Sequence, residues 1–152
     1  MKSRKDIFIA VCTLLAVFFT LSATAQTEKD DPIDVTYHSC VAKDSSVGNI
    51  EACAFVAYGK WNKEMENAAN KLTKEFKKPN EKAAFKQSQL AWKAYRDAEF
   101  KSYDNMFNCP GGKYCLLRQN GRIDVVRTRT QQLRAYIESL KVARGRAVKD
   151  KK

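Results

Sequence analysis

The residues with the most chemical potential lie between Gln87 and Phe100, which reads Gln-Ser-Gln-Leu-Ala-Trp-Lys-Ala-Tyr-Arg-Asp-Ala-Glu-Phe. Two carboxylates, Asp97 and Glu99, stand here with the Arg96 guanidinium and the rings of Trp92 and Tyr95. A carboxylate pair suggests acid–base cleavage of a glycosidic bond, but residues two apart on a helix diverge by about 200°, so these two cannot jointly flank one scissile bond. His38 is the only histidine, and no nucleophile is spaced with a base to activate it. Gly111-Gly112-Lys113 lacks the Gly-x4-Gly-Lys-Ser/Thr spacing, and the strand before it, that a phosphate loop needs. An enzyme is therefore not expected. What remains is a charge beside an aromatic stripe: Glu99 follows Tyr95 by four residues and Trp92 by seven, with Arg96 at i−3. Such a charge needs a partner. Arg129, beside the apolar stripe of the last helix, is the expected one. Trp92, Tyr95, Arg96, Asp97, Glu99 and Arg129 are thus read as a structural or interaction cluster, with the structural role favoured because ion-pair networks hold many charges that do no chemistry.

Hydrophobic spacing supplies the elements that must hold this cluster. Phe85, Trp92, Tyr95, Ala98 and Tyr103 recur at helical intervals, which predicts an amphipathic helix from about Glu81 to Phe107. Before it, Ile50, Ala54, Ala57, Trp61, Met65, Ala68, Leu72 and Phe76 step by three and four, a long inward stripe behind a Ser45-Ser46 cap. Lys78-Pro79-Asn80 ends that helix, and Asn80 is the expected cap of the next, leaving almost no linker and an antiparallel hairpin. Pro110 and two glycines break the second long helix. Ile123, Val126, Thr130, Leu133, Ile137 and Leu140 then mark a third, from about Asn120 to Val142. Val35 to Lys43 is a short helix or turn, and no stretch alternates with period two. The expected fold is an all-α, up-and-down bundle of three main helices plus a short N-terminal helix.

Composition sets the surroundings. Residues 1–25 carry a basic start, an apolar run from Ile7 to Leu21 and Ser22-Ala23-Thr24-Ala25, the pattern of a signal peptide cleaved near Ala25. The expected organisation is then a flexible acidic stretch over 26–34, the helical domain over 35–142 and a basic tail over 143–152. Losing Lys2, Arg4, Lys5 and Asp6 takes the formal charge from +11 to +9. That favours anionic partners, namely an envelope polymer, a membrane surface or an acidic protein, and export argues against nucleic acid. Cys40, Cys53, Cys109 and Cys115 remain, an even set without Cys-x2-Cys zinc spacing, so disulfides are expected and neither metal nor cofactor. Three pairings are open; the sequential one, Cys40 with Cys53 and Cys109 with Cys115, is preferred because each loop is short.

The run Gln89-x-x-Trp92-x-x-Tyr95-Arg96-Asp97-Ala98-Glu99 resembles the signature of the LprI-like family, a lysozyme-inhibitor-type domain of secreted bacterial proteins and lipoproteins. The likeness runs from about Cys40 to Leu140 and takes in Cys53, Gly111-Gly112, Cys115 and Arg129-x-x-x-Leu133. Family members often carry a cysteine directly after the Arg-Asp-Ala-Asp/Glu run, where Phe100 stands here, so Cys109 would replace it as the partner of Cys115. A threonine usual three residues before the closing Arg is Val126 here, and the Asp-x-x-Leu-Asn of the first long helix is only partly matched by Trp61-Asn62-Lys63-Glu64-Met65-Glu66-Asn67. The resemblance implies a binding module that blocks a lysozyme-type hydrolase by protein–protein contact. Common lysozymes are basic, so a chain of net +9 must present acid locally, from residues such as Asp97, Glu99 and Asp104.

Overall fold

The computed structural model describes residues 30–109 and 112–149. Four helices account for almost all of them: α1 (Pro32–Val41), α2 (Val47–Glu75), α3 (Pro79–Met106) and α4 (Gly112–Lys149). The expected bundle is what forms: three long helices, one short one and no strand among the described residues. The signal-peptide stretch, residues 26–29 of the acidic segment, Pro110, Gly111 and residues 150–152 lie outside the described residues.

Chemistry at the helix ends fixes the boundaries. Asp31 caps α1 by accepting from the Ile33 N–H at 2.9 Å, and Pro32 takes the first helical position, where its missing N–H leaves no bond unmade. Part of the stretch expected to be flexible is therefore helical, and Asp34 within it is buried. Ser46 caps α2 as expected, accepting from the Asn49 N–H at 3.4 Å. At the α2–α3 turn the carboxylate of Glu81, not Asn80, does the work, accepting from the N–H groups of Lys77 and Lys78 at 3.2 and 3.1 Å. α4 begins earlier and ends later than its apolar stripe, so Cys115 lies on a helix and the basic segment stays helical through Lys149.

The core is built mainly by α2 on α4. Ile50, Ala54, Ala57, Trp61, Met65, Ala68 and Leu72 face Ile123, Val126, Thr130, Leu133 and Ile137, and all are buried. Cross-links between the two step in one register: Arg118 donates to Glu51, the Thr130 hydroxyl to the Trp61 carbonyl, Arg134 to Glu64 and Arg144 to Glu75. A near-constant offset means that α2 and α4 run parallel, so α3, which joins them in sequence, runs antiparallel to both. α1 runs antiparallel along both, Asp31, Asp34 and Tyr37 meeting Arg134, Arg127 and Asn120 in turn, with the Tyr37 hydroxyl donating to Asn120 at 2.8 Å. Cys40 bridges to Cys53 and Cys109 to Cys115, with Cα–Cα separations of 5.9 and 4.9 Å. The sequential pairing holds, because each pair is brought together by one local turn.

Helix α3 departs from expectation. None of its residues is fully buried. Phe85, Gln89, Trp92, Arg96 and Phe100 turn inward, while Tyr95 and Ala98, assigned to the inner stripe by spacing, are exposed. α3 docks along one narrow seam: Phe85 lies against Phe76, Phe100 against Tyr58, and Gln89 reaches the Met65 sulfur. Near its C-terminus the seam is tight, since a Cβ on Gly121 would meet the Tyr103 ring at 2.7 Å.

Candidate functional site

The motif residues of α3 divide by the face on which they sit. Gln89 and Trp92 meet Arg129 of α4, and Arg96 is half-buried over the Trp92 ring; Tyr95 and Asp97 face solvent. The Gln89 carbonyl oxygen accepts from Nε of Arg129 at 3.0 Å and also from its Nη2. The guanidinium donates further to Gln132 at 2.5 Å and Ser88 at 3.3 Å. It lies 5.9 Å from the Trp92 ring centroid, and Arg96 lies 5.5 Å from the same centroid. Trp92 is thus shared by two cations.

Arg129 does not pair with Glu99. It is 7% exposed and has no described carboxylate within ion-pair distance, and burial pulls its guanidinium below its ordinary value. Neutral oxygens and an indole face stand in for a counter-ion, a solution that satisfies the donors without burying a second charge. The expected cross-helix ion pair is absent for a geometric reason: α3 and α4 run antiparallel, and their register sets Gln89 and Trp92 opposite Arg129, with Glu99 about two turns further along α3. Glu99 is half-buried beside the Tyr103 hydroxyl, which is pushed above its ordinary value first by burial and then by Glu99. Asp97 is 64% exposed and pairs with Arg96 at 2.7 Å.

Arginines on α4 make a second polar layer. Asp104 accepts from Arg122 and lies 4.0 Å from Arg118, and Arg122 also sits 5.5 Å from the Phe100 centroid. Glu51 approaches the Cys109–Cys115 pair, but with both sulfurs in the disulfide only its carboxylate is free, and Arg118 holds that at 2.6 Å. At the other face Asp34 accepts from the Trp61 indole N–H at 2.9 Å and from Arg127 at 2.8 Å. Burial opposes the Arg127 charge, yet Asp34 and Asp124 outweigh it and hold that guanidinium above its ordinary value. Beside α1 a cleft of about 480 Å3 is lined by Asp30, Asp31, Asp34, Arg127 and Arg134; Asp34 pairs with Arg127 and Asp31 with Arg134, which leaves Asp30 without an ion pair among the described residues.

Sequence reasoning missed Asp34 and undervalued Gln89. Asp31-Pro32 is a readable helix start, which would have put Asp34 inside a helix. Gln89 precedes Trp92 by three residues and so shares its face. Only the fold supplied Arg127 and Arg129 as their partners.

With this geometry in view, comparison adds one finding. A family model described as lysozyme inhibitor LprI matches residues 40–133, more than half of the chain. Those limits enclose both disulfides, the α3 motif and Arg129. No curated protein and no solved structure matches.

Proposed function

The chain belongs to the lysozyme inhibitor LprI family, and we propose that it is an exported helical binding module that blocks a lysozyme-type hydrolase by protein–protein contact. The supporting observation is the split of the α3 motif between two faces. Gln89 and Trp92 are engaged in fastening α3 to α4 through Arg129, and Arg96 covers the Trp92 ring, whereas Tyr95, 54% exposed, and Asp97, 64% exposed, make no contact that the fold needs beyond the Arg96 pair. Residues of a motif that turn outward on a stapled scaffold suit recognition. Tyrosine brings amphipathic contact area at low entropic cost, and a carboxylate beside it complements a cationic hydrolase.

The C-terminal half of α3 is the best-placed surface, because Asp97 is open and Glu99 has no arginine partner among the described residues. The protein would act by occupying a cleft; catalysis forms no part of the role. Export rests on the signal-peptide pattern of residues 1–25.

The test is a turbidimetric lysozyme assay with the oxidised chain Gln26–Lys152 over a salt series. Dose-dependent inhibition is expected, weakened at least ~10-fold by Asp97→Lys or Tyr95→Ala at unchanged melting temperature, as for a residue near the centre of an interface. Absence of inhibition at every salt concentration rejects the reading.

A further inference from the structure

The opposite end of α3 carries a different surface. Where the α2–α3 hairpin turns, an open groove of about 530 Å3 runs between α2, α3 and α4, walled by Leu72, Phe76, Ala84, Phe85, Tyr136 and Leu140. Its volume is that of a small-ligand cleft, roughly 300–1,000 Å3, and its lining is almost wholly apolar. Around it stand Lys71, Lys74, Lys77, Lys78, Lys82 and Lys86, each exposed and each within one helical turn or loop step of a groove residue.

These lysines are uncompensated. None of the six forms an ion pair with a described carboxylate, and the acids nearby are engaged elsewhere. Glu75 is held by Arg144, Glu138 pairs with Lys141, and Glu81, itself at the groove wall, turns its carboxylate to the backbone N–H groups of the turn. A purely electrostatic site for a polyanion has no use for an apolar groove, and a purely apolar ligand has no use for six free ammonium groups. An anionic amphiphile needs both.

We propose that the α2–α3 hairpin end docks on membranes containing anionic phospholipid, with acyl-chain carbon against Phe76, Phe85 and Leu140 and headgroup phosphates among the lysines. This is independent of the lysozyme reading: the groove centres on Ala84 and Phe85, about 20 Å along the helix from Asp97 at the usual rise per residue.

The experiment is co-sedimentation of Gln26–Lys152 with phosphatidylcholine vesicles, with and without phosphatidylglycerol, over a salt series. Binding should require phosphatidylglycerol and weaken as salt rises. Each lysine near an anionic surface strengthens binding roughly fivefold, so the triple variant Lys78→Glu, Lys82→Glu, Lys86→Glu should bind at least ~100-fold more weakly. Ala84→Asp, at an exposed position lining the groove, should lose ~10-fold or more by setting a charge against acyl carbon. All four substitutions fall on exposed residues, and circular dichroism checks that the helices persist. Equal binding to both vesicle types, or a triple variant that binds as the parent does, overturns the proposal. So does loss in the triple variant with Ala84→Asp unaffected, which would assign the lysines to an anionic polymer.

Discussion

Removal of the Asp34 carboxylate should be among the most damaging single changes that leave the apolar core intact. Asp34 is 8% exposed and accepts two hydrogen bonds, from the Trp61 indole N–H at 2.9 Å and from Arg127 at 2.8 Å. Trp61 is fully buried, so Asp34→Ala strands its N–H without water, worth about 1–3 kcal/mol. The Arg127 side chain is 30% exposed and also bonds to Asp124, so solvent and that second carboxylate replace much of what it loses, adding about 1 kcal/mol or less. The total is about 1–4 kcal/mol. For a domain of this size each kcal/mol moves the melting temperature by about 3–5 °C, which puts Asp34→Ala roughly 10 °C below the parent. Asp34→Asn keeps an oxygen for Trp61 but turns its NH2 toward Arg127, forfeiting that charge and hydrogen bond, and should lose about 1 kcal/mol because Asp124 and solvent still serve the guanidinium. Urea unfolding followed by far-ultraviolet circular dichroism, analysed as a two-state transition, gives both values. An Asp34→Ala variant within ~0.5 kcal/mol of the parent would refute the reasoning, since that is the scatter of surface changes. So would an Asp34→Asn variant as damaged as Asp34→Ala, which would make charge and not the indole bond the larger part.

Two further outcomes follow from the packing. Burial, and secondarily Asp124, pushes the Tyr37 hydroxyl up to about 12 from 10.0. A raised acid holds its proton in the folded state after the unfolded chain has released it, so this contribution is intact below about pH 10 and is withdrawn as pH rises toward 12, at most about 2–3 kcal/mol; alkaline unfolding of Tyr37→Phe should begin at higher pH than in the parent, and coincident curves would count against it. Gly59 and Gly121 both lie inside helices, but nothing lies within 4 Å of a Cβ built at Gly59, whereas one at Gly121 meets the Tyr103 ring. Gly59→Ala should therefore raise stability by about 0.5–1 kcal/mol, and Gly121→Ala should lower it by about 1 kcal/mol once overpacking outweighs the same helical gain, as paired thermal melts would read.

The sequence by itself determined the helices and the two inner stripes of α2 and α4, and it favoured the sequential disulfides without excluding the other two pairings. Each rests on spacing within one segment, and local spacing is all that a helix or a short loop needs. Every stripe residue from Ile50 to Leu72 and from Ile123 to Ile137 is buried as its period requires. The family resemblance, too, was legible in the run from Gln89 to Glu99. Tertiary structure alone decided which face of α3 turns inward, because that helix carries aromatic, charged and small residues on several sides and no single apolar stripe dominates. The α2–α4 pair accepts it along a narrow seam, and that seam takes Gln89, Trp92, Arg96 and Phe100 while leaving Tyr95 in solvent. It also decided the partners of the buried charges. Arg129 meets Gln89 and Trp92, and Asp34 meets Trp61 and Arg127, at separations of 40, 27 and 93 residues for the hydrogen-bonded pairs. Pairings that distant depend on the register of packed helices, which no local period encodes.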